Sequence, residues 1–208
     1  MRAASNHSHI TFGYLLLAAI LVLVSGCSNP KWFFGTGGKY NEARLEVTRG
    51  RAANIDKAIA NLEAVVTQDP TYKDSLTLLG RAYYKKERYR DADLILQRAL
   101  QVDKEDEIAW IAVGLTQLRL GQDETGLEAL KGGLTLINKV STGGYRGHEY
   151  WDRAGRVRLA IRRAIILALK GLEEKENLIR SGENVLAAID EEEFFQRFER
   201  KEVRAQYE

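Results

Sequence analysis

The fold is decided by residues 76–106, LTLLGRAYYKKERYRDADLILQRALQVDKED. Large apolar residues, among them Leu79 and Leu96, recur at three- and four-residue steps on both sides of the polar segment KER. That spacing is typical of helices with one buried face. Small residues, Gly80 and Ala92, stand where two such helices would cross closely. The stretch therefore predicts a helix, a short turn and an antiparallel helix.

The same pattern recurs at an offset of 34 residues along the chain. The aligned rows are Ala58 with Ala92 and Gly126, Leu62 with Leu96 and Leu130, Val65 with Ala99 and Gly133, and Gly80 with Gly114. Self-similarity at a fixed period of this kind indicates units that bury their apolar faces against their neighbours. We therefore expect an all-α solenoid of about three helix-turn-helix units over residues 39–137, with the first unit the most degenerate.

The spacing Leu76-x₂-Leu79-Gly80-x₂-Tyr83, followed by Ala92-x₃-Leu96, resembles the tetratricopeptide repeat (TPR). The resemblance implies a protein-binding scaffold rather than an enzyme, with a groove lined by the first helix of each repeat. The lining residues that it implies are Asp74, Thr77, Arg81, Tyr84, Lys85, Ile108, Ile111, Leu115, Leu118 and Arg119. An apolar stripe with a basic edge suits an amphipathic helix or an extended segment with acidic character. Alternatively, Ile108, Ile111 and Leu115 are covered by the C-terminal helices of the same chain.

A separate signal lies near the N-terminus, where an apolar stretch precedes Cys27, the only cysteine. The pattern VSGC that ends at Cys27 resembles the lipobox of bacterial lipoproteins. The resemblance implies a signal peptide at 1–26, acylation of Cys27 and a lipidated tether at 27–38. It also implies the outer membrane, facing the periplasm, because Ser28 stands where an aspartate would imply retention in the inner membrane. The alternatives are an ordinary secretory signal with a spare cysteine and an uncleaved signal anchor.

Composition limits the functions that the chain can have. Its 31 basic and 29 acidic side chains nearly balance, so the charge does not indicate a nucleic-acid partner. Removal of residues 1–26 would leave His148 as the single histidine, which gives no recognisable catalytic constellation. A lone cysteine gives no metal-binding set. We expect no catalytic site, no metal, no cofactor apart from the lipid on Cys27, and partners that are other envelope proteins.

The segment after the repeats differs in composition from the repeats themselves. Residues 138–148 contain three glycines and predict a loop. Residues 149–208 predict C-terminal helices that extend or cap the solenoid, beginning with a strongly periodic helix at 152–170. A last helix is expected to start at Asp190 as its N-cap, because three glutamates follow in the first turn.

Aromatic residues and arginines near this loop form a candidate second site. Its residues are Tyr145, His148, Trp151, Arg156 and Arg163. The aromatic residues could instead cap the end of the helical stack. The arginines of 153–163 could bind lipid or glycan, or they could pair with glutamates of the following helices. An enzymatic site, if the chain had one, would lie within 138–163.

Overall fold

The computed structural model describes residues 35–49, 53–141 and 151–207, without the side chains of 140–141 and 197–207. The chain divides into two units, 1–38 and 39–208. Cys27, Tyr145 and His148 lie outside the described residues, as does the predicted signal peptide. What the sequence indicates about these residues stays a prediction.

Eight α-helices and no strand make up the described part of the chain. In chain order they are α1 (Thr36–Thr48), α2 (Ile55–Gln68), α3 (Ser75–Lys85), α4 (Tyr89–Val102), α5 (Glu107–Arg119), α6 (Asp123–Ser141), α7 (Arg156–Lys170) and α8 (Lys175–Tyr207). The predicted all-α class, a solenoid of helical repeats, is confirmed. Within the described ranges, no helix is long and apolar enough to cross a membrane.

The second and third repeats are the pairs α3/α4 and α5/α6, and glycine lets the helices of each pair approach closely. A Cβ atom at Gly80 would lie 2.4 Å from Cγ of Leu96. A Cβ atom at Gly114 would lie 2.5 Å from the backbone nitrogen of Leu130. Since real Cβ atoms do not approach other heavy atoms so closely, neither position has room for a side chain. The recurring glycine is thus a packing requirement of the repeat.

The buried apolar residues form two clusters that share helix α5. The first cluster joins α1, α2, α3 and α4 to Ala109, Ala112 and Val113 of α5. The second cluster joins Ile108 and Leu115, on another face of α5, to α6, α7 and α8. A helix that is apolar on all sides is expected to be buried on all sides. The C-terminal helices therefore complete the core around α5 and do not form a separate domain.

Two predicted boundaries shift by a few residues. The tether predicted at 27–38 ends earlier, because α1 begins at Thr36. Glycine destabilises a helix mainly in its interior, so it is tolerated in this first turn. The loop predicted at 138–148 starts later, because α6 continues to Ser141. Ile137, just before that extension, is fully buried and holds the end of α6 in the core.

Helix α7 begins at Arg156, four residues later than the predicted start at 152. The carboxylate of Asp152 accepts hydrogen bonds from the backbone nitrogens of Val157 and Arg158, each at 2.9 Å. The intervening Gly155 takes a left-handed conformation with φ of 71°, which a residue without a side chain adopts without strain. Asp152 therefore caps the helix from outside it, and its buried carboxylate is satisfied by helix amides.

Helix α8 is one continuous helix of 33 residues, so the prediction of a new helix with Asp190 as its N-cap is wrong. The Asp190 carboxylate turns towards α3 instead, where it accepts from the Arg81 guanidinium at 2.6 Å. The neighbouring Leu186 and Ile189 are buried in the second core cluster. Because no glycine or proline interrupts residues 183–207, nothing in this stretch ends the helix.

Candidate functional site

The predicted groove surface is formed by α1, α3 and α5, the first helices of the repeats, and helix α8 lies against it. The apolar part of this surface is buried: Ile108 is 4 % exposed, and Ile111 and Leu115 are fully buried. Leu118 is 1 % exposed. The structure thus corrects the expectation of an exposed apolar stripe and matches the alternative, in which the C-terminal helices cover it. The physical reason is that α8 passes close to α5, since a Cβ at Gly182 would lie 2.8 Å from Cδ2 of Leu115.

The polar part of the predicted surface binds carboxylates of α8. Arg81 forms a buried ion pair with Asp190 at 2.6 Å. The hydroxyl of Tyr84 donates to Glu183 at 2.5 Å. Arg119 contacts the same Glu183 at 3.2 Å and Glu176 at 2.9 Å. Three of the predicted lining residues, Arg81, Tyr84 and Arg119, therefore bind a helix. That helix belongs to the chain itself.

Sequence reasoning missed Arg44, which extends this set onto α1. Its guanidinium pairs with Glu193 of α8 and, at 3.4 Å, with Asp74. Sequence reasoning did not identify Arg44 because the first repeat lacks the usual motif and could not be aligned to Arg81 and Arg119. The signal that could have identified it is a diagonal of arginines, in which each arginine is displaced by a few residues from the repeat equivalent of the one before. Arg81 lies three residues beyond the repeat equivalent of Arg44, and Arg119 lies four residues beyond the equivalent of Arg81.

Two of these arginines, Arg81 and Arg119, face regularly spaced carboxylates on α8. Glu176, Glu183 and Asp190 follow one another at seven-residue intervals, which keeps them on one side of the helix. Seven residues of an α-helix rise about 10.5 Å. Neighbouring packed helices lie about 8–10 Å apart. Glu176 and Glu183 both reach Arg119 of α5 and Asp190 pairs with Arg81 of α3, whereas Arg44 of α1 is met by Glu193, three residues beyond Asp190 and outside the seven-residue series.

The remaining predicted residues connect the first helices to one another or to nearby backbone. Asp74 accepts from Arg44 and from the Tyr40 hydroxyl. Thr77 donates to Asp106 at 2.5 Å. Lys85 donates to the backbone carbonyl of Val47 at 2.5 Å. We therefore assign Asp74 and Thr77 a structural role in the stacking of the repeats.

A cavity of about 360 Å³ remains between α3, α5 and α8. Five predicted residues line it, namely Arg81, Tyr84, Lys85, Leu115 and Arg119. The wall that α8 contributes includes Glu183, Leu186, Ala187 and Asp190. Tyr89 stands at the same cavity and contacts the Tyr84 ring edge-on, with ring centroids 5.4 Å apart. The cavity lining combines two tyrosine rings with three cationic side chains and three carboxylates, one of which is Glu87.

Electrostatics keep the Arg81 guanidinium charged and the Tyr84 hydroxyl protonated. Burial alone would lower the pKa of the Arg81 guanidinium, but the carboxylates around it, Asp190 first among them, together outweigh burial and the pKa is raised. Burial raises the pKa of the Tyr84 hydroxyl, and its bond to Glu183 raises it further. Burial and the neighbouring Arg81 lower the pKa of Lys85. The guanidinium of Arg81 is therefore a permanent donor, and the Tyr84 hydroxyl keeps its proton at neutral pH.

The candidate second site is not assembled as one patch among its described members. Trp151 is 7 % exposed and belongs to the second core cluster. Arg156 pairs with Glu191 at 2.9 Å and lies over the ring of Phe195 at 5.2 Å. Arg163 is exposed on α7. Trp151 is thus part of the core, which agrees with the alternative that the aromatic residues cap the helical stack. Arg156 pairs with a glutamate of the following helix, which agrees with the alternative given for the arginines.

The paired helices and the close glycine contacts between them define the chain as a helical-repeat protein. Residues 51–118 match the family model described as tetratricopeptide repeat. A segment of 107 residues, 49 % of the chain, is 32 % identical to Superkiller complex protein 3 of Mus musculus, and it covers 7 % of that protein. No solved structure matches the chain significantly. TPR segments in general bind other proteins.

Proposed function

We propose that the chain is a membrane-anchored TPR scaffold that holds partner proteins of a bacterial envelope complex. The observation that carries the proposal is the TPR match over residues 51–118, since TPR segments generally bind proteins. It is supported by a first-helix surface whose arginines, Arg44, Arg81 and Arg119, are able to hold a helix. The proposed role is binding without catalysis, and it needs no cofactor besides the lipid on Cys27.

The partner surface that we propose is the rim of the cavity between α3, α5 and α8. Helix α8 covers the apolar centre of the first-helix surface, so a partner reaches the edge that α8 leaves open. Lys85 is exposed there, and Tyr89 is partly exposed. Aromatic rings and cations are favourable contacts in protein interfaces because they bury area and still satisfy polar groups. A partner segment with an acidic side chain next to apolar residues fits this chemistry.

The proposed anchor is Cys27, supported by the lipobox-like pattern around it. Each buried CH₂ of an acyl chain contributes about 0.8 kcal/mol of membrane binding, so several chains hold a protein permanently. A scaffold held at the membrane meets membrane-associated partners at high effective concentration. The proposed location is the outer membrane, with the repeats facing the periplasm.

Metabolic labelling with an alkyne fatty acid tests the anchor. The wild-type chain should carry the label, and Cys27→Ala should carry none, because no other cysteine exists in the chain. Ser28→Ala is the matched control and should be labelled like the wild type. Label that survives in Cys27→Ala would disprove the anchor.

Site-specific photocrosslinking in cells tests the partner surface. A photoreactive residue in place of Tyr89, on the cavity rim, should give adducts of defined mass that Lys85→Glu weakens. The matched control replaces Arg98, an exposed residue on α4, and should not give those adducts. Identical adducts from both positions, or adducts that Lys85→Glu leaves unchanged in a folded protein, would rule out the rim as the working surface.

A further inference from the structure

We propose that the outer face of the α7–α8 hairpin docks on an anionic phospholipid surface. This face is separate from the first-helix surface and from the cavity rim, so the proposal does not depend on a protein partner. It concerns how the hairpin meets a bilayer, whichever way the N-terminus of the chain is held there.

The apolar part of this face is a row of exposed side chains on α7. Leu159 is 50 % exposed, Ile166 is 58 % exposed and Leu169 is 76 % exposed. Their spacing of seven and three residues places them on one side of the helix. The opposite side of α7 is buried through Val157, Ile161 and related residues in the second core cluster, so the exposed row is not needed for folding.

The charged part of the face consists of arginines that have no acidic ion-pair partner among the described residues. Arg162 and Arg163 are exposed between the apolar residues of α7, and Arg180 is exposed on α8. None of these three arginines forms an ion pair with any residue that the structure describes. The sequence from 153 to 172 contains no acidic residue. The acidic residues next in sequence belong to the turn, where Glu174 is already paired with Lys170 at 3.0 Å.

A cleft of about 340 Å³ runs between the two helices of this face. Ile166 and Leu167 line it, one arginine borders it from each helix, and polar uncharged side chains complete it. The bordering residues are Arg163, Arg180, Asn177 and Asn184. Apolar lining between two guanidinium groups fits a phospholipid, whose phosphate accepts hydrogen bonds from arginine while its acyl region contacts the aliphatic side chains.

Charge and geometry favour a bilayer over a second copy of the chain. Two copies paired through this face would bring Arg162 and Arg163 of one copy towards the same arginines of the other, and like charges repel. A bilayer that contains anionic phospholipid carries negative charge over its whole surface, and arginine stems can lie along it while their heads reach the phosphates. A helix with an apolar row and flanking cations lies in the plane of such a surface.

Fluorescence quenching by brominated lipid tests the proposal on the full chain reconstituted into vesicles. In a Cys27→Ala background, Leu169→Cys is the only thiol and carries an environment-sensitive fluorophore. The matched control carries the fluorophore at Leu94→Cys, a residue on α4 that is 64 % exposed. In vesicles with anionic lipid we expect quenching at position 169 to exceed that at position 94 by about two-fold or more, because only the former sits at the acyl boundary.

Charge removal sharpens the test. Arg162→Gln with Arg163→Gln should lower quenching at position 169 to the level of position 94, whereas Arg98→Gln on α4 should not change it. Equal quenching at the two labelled positions would overturn the proposal. Equal quenching at position 169 in neutral and anionic vesicles would also overturn it, as would self-quenching between labels at 169 without lipid, which would identify a second copy as the occupant. Circular dichroism confirms that each variant is folded. The fatty-acid labelling experiment described above tests the anchor at Cys27 separately, so a negative result there would not bear on docking of the hairpin.

Discussion

Removal of one partner from the Arg81–Asp190 pair should destabilise the protein strongly. Both side chains are nearly inaccessible, with exposures of 8 % and 9 %, and they meet at 2.6 Å. Arg81→Met keeps an unbranched side chain similar to the aliphatic part of arginine but leaves the Asp190 carboxylate buried without its cation. Breaking a buried pair in this way costs about 3–5 kcal/mol. For a chain of this size that corresponds to a decrease in Tm of roughly 6–20 °C.

Urea denaturation followed by far-UV circular dichroism measures the change in the free energy of unfolding. Two further variants serve as controls. The double variant Arg81→Met with Asp190→Leu removes both charges and should lie within about 1 kcal/mol of the wild type. Arg156→Met breaks an exposed pair with the same helix, whose side chains are 49 % and 54 % exposed, and should cost about 1 kcal/mol or less. If Arg81→Met costs no more than Arg156→Met, or if the double variant is as unstable as the single one, α8 does not bury this pair.

Three further predictions concern packing, ionisation and helix capping. Gly114→Ala should destabilise by several kcal/mol because its Cβ would meet the Leu130 backbone at 2.5 Å, whereas Gly132→Ala, which meets nothing within 4 Å, should stabilise by about 0.5–1 kcal/mol in the same urea assay. Burial and a neighbouring carboxylate raise the pKa of Tyr83 to about 12, so the stability that it contributes is complete below pH 10 and is lost as the pH rises through about 12. Absorbance at about 295 nm should show one fewer late-ionising tyrosine in Tyr83→Phe. Asp152→Ala removes the acceptor of two amides at the start of α7 and should lower the free energy of unfolding by about 1–2 kcal/mol.

The repeats could be predicted from the sequence because their determinants are local. Gly80 and Leu96 recur at the repeat period, and each recurrence has a contact that explains it. Turn positions followed from short polar segments between apolar ones. The start of α7 could not be predicted in this way, because Asp152 caps the helix from four residues outside it and its carboxylate is also buried. Periodicity indicates where a helix is amphipathic, whereas its first residue depends on a cap that periodicity does not register.

The position of α8 depends on contacts between residues far apart in the chain. Asp190 and its three following glutamates have the local pattern of a helix start, so local reasoning placed an N-cap there. Arg81, 109 residues away, provides the contact that overrides this pattern. The matching signal is present in the sequence as two spacings, one of carboxylates on α8 and one of arginines across the repeats. Each spacing is uninformative alone, because neither indicates that the two surfaces meet.

The placement of α8 also determines where the chain can contact other molecules. Glu183 and Asp190 lie on the side of α8 that faces the repeats. Asn177, Arg180 and Asn184 lie on the side that borders the outer cleft with α7. Successive residues of a helix are rotated by about 100°, so one helix can present both sets without conflict. Because α8 separates the cavity rim from the outer face of the hairpin, a protein bound at the rim and a bilayer bound at the outer face would not compete for the same residues. Substitution of Arg180 should therefore change lipid contact and leave crosslinking at Tyr89 unchanged, and a variant that altered both would show that the two surfaces are coupled through α8.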